Sequence, residues 1–334
     1  MLVEAVAGVI LLGLLAYALL GGADFGGGVW DLFASGPRKE AQREAIADAM
    51  GPVWEANHVW LIFVITLLFT CFPDAFAALS IAFFVPFHLV LLGIILRGAA
   101  FVFRAYGPRM GRQPRLWGRV FGVASLLTPL VLGMCLGAVA SGDLRVSEDR
   151  ALAGAADAWL QPEAWLVGVL AVAACAFLAA VYLCVETEGE LQEDFRKRAL
   201  VATLALGALA LAALPVLRVA APHLWPGFAS PQGIALVAAA TLSGAATLLL
   251  LLRRRFALAR VAAAAQVVAL LGGWGALLQY PYLVYPDVRL ADAAAPAGVL
   301  AATLWIVGIG ALFLAPALAY LFRIFKGKMP GVEA

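Results

Sequence analysis

The chain has 334 residues, of which 64% are hydrophobic and 13% charged, and its mean hydropathy is +0.96. A soluble globular domain carries about twice that share of charge, so the composition points to an integral membrane protein. A net charge of +2, with the basic residues scattered over short segments, gives no nucleic-acid-binding surface.

Runs of about 20 apolar residues are needed to cross the hydrocarbon, and each must satisfy its backbone hydrogen bonds as a helix. Nine such runs are expected, at about 2–20, 51–72, 75–103, 117–140, 163–185, 199–220, 232–252, 256–278 and 298–322. The first has Glu4 where a secretion signal would be basic and lacks a cleavage site, so it reads as a retained helix. The stretches between runs are too short for a further domain.

The first run ends in Gly21-Gly22-Ala23-Asp24-Phe25-Gly26-Gly27-Gly28, and the second opens with Trp54-Glu55-Ala56-Asn57-His58-Val59-Trp60. An ionisable group at the edge of hydrocarbon is costly, which makes Asp24 and Glu55 functional candidates. Asp24 also fits a solvated helix end, and Asp31 fits plain surface. The small-xxx-small spacing of Gly22 and Gly26 lets helix backbones approach closely. The glycines follow a membrane helix without a phosphate-binding lysine, which excludes a nucleotide loop.

Glu55 and His58 are three residues apart, on roughly the same side of a helix. The pair suits proton handling, a structural hydrogen bond or, less simply, a metal; a di-iron bundle needs a second copy of the motif, and the sequence has one. In the third run, His88 reads as a buried, hydrogen-bonded histidine or, together with His58, as a haem clamp. Arg97 needs an acid or a route to the interface. Trp54, Trp60, Trp117, Trp159 and Trp165 fall near the ends of runs, as interfacial aromatics do.

Pro129 and Pro215 interrupt the fourth and sixth runs and Pro316 the ninth, while His223 falls in a loop and reads as solvated. Cys71, Cys135, Cys175 and Cys184 lie in or beside apolar runs without ligand spacing, as small core residues. Eighteen of the 23 Lys and Arg residues fall on one side of a nine-span topology. That bias places the N-terminus outside, the C-terminus inside, and Asp24 and Glu55 near the inner face. The runs group naturally as four plus four plus one: residues 1–140, 163–278 and 298–322.

The double motif around Asp24 and Glu55 resembles subunit II of the cytochrome bd quinol oxidases, including their cyanide-insensitive branch. The likeness continues through Ser125-Leu126-Leu127-Thr128-Pro129, Thr187-Glu188-Gly189-Glu190-Leu191 and Tyr280-Pro281-Tyr282-Leu283-Val284-Tyr285-Pro286. It implies two four-helix bundles plus a peripheral helix in the bacterial cytoplasmic membrane, paired with a subunit I. That partner would carry haems b and d, or b alone, and the quinol-oxidising site, while this chain would bind no haem or metal itself.

The resemblance also implies a cytoplasmic proton path through Glu55 and Asp24. His58 stands where some members have Gln, and Trp54, Asn57, Trp60, Arg97 and His88 are interface or structural candidates. Quinol, membrane lipid and small single-helix accessory subunits are the other expected partners, with a structural quinone or lipid as an expected occupant. The alternative from the residues alone is a proton-coupled secondary transporter, disfavoured by the lack of an inverted repeat.

Overall fold

The computed structural model describes residues 1–51, 54–106, 114–146, 152–153 and 155–326. Among the described residues nine helical stretches are long and apolar enough to cross a membrane. In chain order the helices are α1 (Leu2–Leu32), α2 (Lys39–Met50), α3 (Trp54–Cys71), α4 (Pro73–Ala82), α5 (Phe84–Tyr106) and α6 (Pro114–Ser141). A two-residue ribbon, β1 (Arg145–Val146) with β2 (Leu152–Ala153), leads to α7 (Ala155–Ala158). The second half contains α8 (Pro162–Glu186), α9 (Gly189–Ala220), α10 (Trp225–Ala229), α11 (Pro231–Leu252), α12 (Phe256–Val267) and α13 (Ala297–Lys326). Between α12 and α13 lies a second ribbon, β3 (Tyr282–Val284) with β4 (Val288–Arg289).

Three departures from the expected runs have physical causes. Helix α1 does not stop at Leu20 but runs through the glycine cluster to Leu32. In water those glycines would weaken a helix; here the lack of side chains lets other helices lie directly against α1. A Cβ at Gly26 would strike the Cys175 carbonyl of α8, and one at Gly28 would strike the Ser125 side chain of α6. The third run breaks at Phe83 into α4 and α5, with Pro73 opening the short helix. The segment between the first two spans is no plain loop but holds α2, whose Ile46 and Met50 pack into the main core.

Helix α8 packs against α1, α6, α9 and α12, and α6 also packs against α1 and α5. The main core follows from this, with Phe177, Leu178, Phe195, Leu206 and Leu251 fully enclosed. Outward faces are apolar too, including Leu12, Leu92, Leu211, Leu242 and Phe313, as a lipid surround requires. Helix α13 touches α1 and α3 and is otherwise exposed. All four cysteines are free and buried, as small core residues are.

Polar groups gather at the two ends of the bundle. At the α2 end, Arg38 donates to both carboxylate oxygens of Asp194 (2.8 and 2.7 Å) and to Glu190 (2.7 Å), and Arg198 donates to Gln42 (2.6 Å). These bonds fasten α2 to α9. Asp31 is not surface but a buried residue that accepts a bond from Arg104 of α5.

At the other end Arg145 grips Asp287 through two bonds (2.8 and 3.0 Å), and Asp287 also accepts from the Val146 amide (2.8 Å). The Arg145 bond is the main cause holding the Asp287 carboxyl below its usual range. A depressed folded-state pKa gives stability that is present above the unfolded value, about pH 4, and lost as pH falls through the folded value. Because Arg145 is exposed, the effect should be below about 1 kcal/mol. The protection factor of the Val146 amide, that is its exchange relative to an unstructured peptide at the same pH, is expected to fall as the pH drops below about 4. Equal acid sensitivity in Asp287→Asn would refute this account.

Candidate functional site

The most polar part of the membrane interior lies where α1, α3 and α5 meet. Asp24, buried on α1, accepts a hydrogen bond from the Asn57 side-chain amide of α3 at 2.8 Å. Arg97 of α5 is only 1% exposed. Its Nη1 lies 3.2 Å from His58 Nε2. A guanidinium has only hydrogens to offer, so this nitrogen of His58 accepts and the ring is unprotonated there.

The Arg97 guanidinium carbon is 5.1 Å from the Phe25 ring centre, 5.4 Å from that of Phe121 and 5.9 Å from that of Trp54. Aromatic faces supply cation–π attraction that partly replaces lost hydration. The Asp24 carboxylate lies within electrostatic reach of the same guanidinium. Arg97 therefore does not reach out to the interface: it is held inside, with an acid nearby.

Further polar atoms converge on this interior. Tyr17 Oη, His58 Nδ1, Arg97 Nε and Nη2, and Ser125 Oγ are buried and have no hydrogen-bond partner among the described residues. Tyr17 and Phe25 pack around the His58 ring, with centres 5.9 and 5.6 Å away. Tyr17, Phe25, Phe121 and Ser125 were not singled out by the sequence as site residues. The signal available for Ser125 was Gly28, whose missing side chain gives the hydroxyl its room.

Not every candidate joins the cluster. Glu55 is exposed, on an outward face of α3 that continues through Val59, Ile62 and Phe69. Trp54, Asn57 and His58 face inward, and Trp60 packs edge-on against Phe63 at 6.0 Å. His88 is not the buried residue expected: it lies on the exposed face of α5 and donates through Nδ1 to the Phe84 carbonyl at 2.6 Å. His223 is not freely solvated; its ring stacks on Tyr285 at 3.8 Å with planes 2° apart. Among the described residues no three His, Cys, Asp or Glu side chains are grouped to hold a metal ion.

A family model described as cytochrome bd terminal oxidase subunit II matches residues 2–325. The chain belongs to this family. It is 29% identical over 200 residues to cytochrome bd ubiquinol oxidase subunit 2 of Bacillus subtilis strain 168, covering 59% of this chain and 58% of that protein. It is 32% identical over 200 residues to cytochrome bd-I ubiquinol oxidase subunit 2 of Escherichia coli K12, covering 59% of this chain and 51% of that protein. The matched region thus spans about half the length of these curated relatives. A chain of the bd oxidase structure from Geobacillus thermodenitrificans superposes with a TM-score of 0.76, covering 98% of this chain and 99% of that one at 23% identity, which establishes a common fold. Family and apolar spans together make this a multi-pass protein of the bacterial cytoplasmic membrane. The assignment favours the oxidase reading over proton-coupled transport.

Proposed function

We propose that this chain is the haem-free subunit II of a quinol-oxidising, oxygen-reducing membrane complex, and that it carries part of the proton supply from the cytoplasmic side. The partner, a subunit I, would hold the haems b and d, or b alone, and the quinol-oxidising site. Reduction of oxygen to water consumes protons. Drawing them from the inside while quinol releases its own outside builds a gradient without a pump.

One observation carries the proton role: Glu55 stands as the one charged group on the outward face of the described part of α3, on the same helix turn as the buried Asn57 that binds Asp24. A carboxylate facing lipid is unfavourable. Facing a partner subunit across a hydrated seam, it can take up and release protons. The partnerless buried atoms of Tyr17, His58, Arg97 and Ser125, on the inward side, are groups that internal water would satisfy. Asp24, Asn57, His58 and Arg97 then set the field along that hydrated interior, with Arg97 fixing the charge of Asp24 and the tautomer of His58.

Two architectural readings accompany this. The exposure of α13, which touches only α1 and α3 to any extent, supports its reading as a peripheral helix beside two four-helix groups. The basic-residue bias supports an external N-terminus and internal C-terminus.

The test is quinol-driven oxygen consumption by the complex purified from its native membrane. Glu55→Gln is expected to lower turnover at least tenfold, in the range of losses seen when a proton-transfer group is removed. Haem content per complex should be unchanged. Wild-type turnover in this variant would end the proton role for Glu55.

A further inference from the structure

The buried polar groups of α1 are evenly spaced. Tyr17, Asp24 and Asp31 follow one another at intervals of seven residues and are only 6, 5 and 1% exposed. Seven residues fall about 20° short of two turns and rise about 10.5 Å, so the three lie on one face of the helix. Helix α5 repeats the interval. Its Arg97 lies within electrostatic reach of Asp24, and its Arg104 donates to Asp31. The two rungs ascend together because the first and third spans run the same way across the membrane.

The gaps between rungs hold further polar groups. Ser125 of α6 sits against Gly28, between Asp24 and Asp31, where a Cβ would strike its side chain. Its Oγ is fully buried and has no hydrogen-bond partner among the described residues. Between Asp24 and Tyr17, the His58 ring is flanked by Phe25 and Tyr17 at 5.6 and 5.9 Å. Since His58 Nε2 accepts from Arg97, the ring proton is on Nδ1, which is also buried and partnerless. The Tyr17 ring leans over Gly21, one turn nearer Asp24, in room that a side chain would fill.

The two ends of the series differ. At the α2 end Arg104 is only partly buried, and Arg43 donates to the Asp31 carbonyl (3.4 Å) while paired with the exposed Glu40. This end therefore reaches water. At the other end the Tyr17 hydroxyl is enclosed by an otherwise apolar cluster that includes Phe25, Cys175, Leu61 and Ile94, and its Oη has no partner among the described residues. Acid and guanidinium rungs alone would fasten the helices. The unpaired hydroxyls of Ser125 and Tyr17 add nothing to that fastening, but a hydroxyl both donates and accepts, so its oxygen can take one proton as it gives up its own.

We propose that this face of α1 conducts protons from a mouth at the Asp31–Arg104 pair, past Ser125 and Asp24, to the Tyr17 hydroxyl. The inference rests on the proton supply proposed above and adds a route inside this chain that does not pass through Glu55. Each step covers half a rung, about 5 Å, and two hydrogen bonds through one water span about 5.5 Å. His58 Nδ1 donates to the water below Tyr17 and orients it. At the last step the Tyr17 oxygen accepts a proton from that water and its own proton passes to water leading toward the partner subunit, so no charge stays on the ring.

The test is quinol-driven oxygen consumption by the complex purified from its native membrane, measured in H2O and in D2O. Tyr17→Phe keeps the ring and removes only the oxygen. Its turnover is expected to fall about tenfold, with haem content unchanged and a larger solvent isotope effect than wild type, because proton delivery has become the slow step. Wild-type turnover in Tyr17→Phe overturns the route. Lowered turnover with an unchanged isotope effect does so too, since it marks a hydroxyl needed only for packing. Glu55→Gln is read separately: loss there beside a wild-type Tyr17→Phe removes this route and leaves the role of Glu55, and the reverse pattern leaves this route and removes that role. Should Tyr17→Phe fail to assemble, Ser125→Ala decides by the same two readouts.

Discussion

Gly26→Ala is expected to lower the thermal midpoint of the purified complex by several degrees, and Gly26→Leu to prevent its recovery, whereas Gly8→Ala should leave the midpoint unchanged or raise it. All are on α1, so helix propensity alone predicts that both alanine changes stabilise, by about 0.5–1 kcal/mol. Packing reverses the sign at one site. The added carbon at Gly26 would meet the Cys175 carbonyl and the Ala179 methyl of α8, and a backbone oxygen cannot swing aside as a side chain can. Forcing such contacts apart costs about 1–3 kcal/mol for one methyl and more for a longer side chain. Nothing lies within 4 Å of the same carbon at Gly8. Equal midpoints for the two alanine variants would mean that α1 and α8 are not in the contact described.

The second large effect concerns the enclosed charge. Arg97→Met removes a guanidinium 1% exposed and leaves the Asp24 carboxylate without it. Asp24→Asn keeps an oxygen able to accept from Asn57 and removes only the charge. Leaving either enclosed charge without its counterpart is expected to destabilise the protein, whereas removing both avoids the unbalanced one. The double variant should therefore be clearly more stable than the sum of the single losses implies. Denaturation of the four proteins in one detergent gives the coupling directly. Simple additivity would show that Asp24 is not what balances Arg97.

The spans were legible because lipid forces a strong, local signal, and the positions of most runs needed little more than adjusted ends. The length of α1 was not, since it depends on what α8 and α6 present to its glycines, and no sequence window contains that. Arg97 could be marked as needing a partner, but Asp24 lies on another helix far away in sequence. The case of Glu55 and His58 is geometric. Three residues of α-helix return the chain to within about 60° of its starting direction. That is near enough to place two side chains on one side, and far enough that one faces inward and the other outward when the boundary of the bundle falls between them. Which group crosses that boundary is decided by the neighbours of α3. His88 was misjudged similarly: hydropathy placed it deep along the span, but carried no information on whether it faced a neighbouring helix or the outside.

The contact between α1 and α8 also bears on biogenesis. Helix α1 finds its principal companion only when residue Glu186 has been made, roughly 8–30 s later at ordinary elongation speeds. Until then the surface at Gly22 and Gly26, which faces α8 in the folded chain, must remain in the translocon or be shielded by an insertase. Nascent chains stalled before and after α8 should accordingly differ in the protease sensitivity of α1, and substitutions on that face should harm yield more than they harm protein already folded.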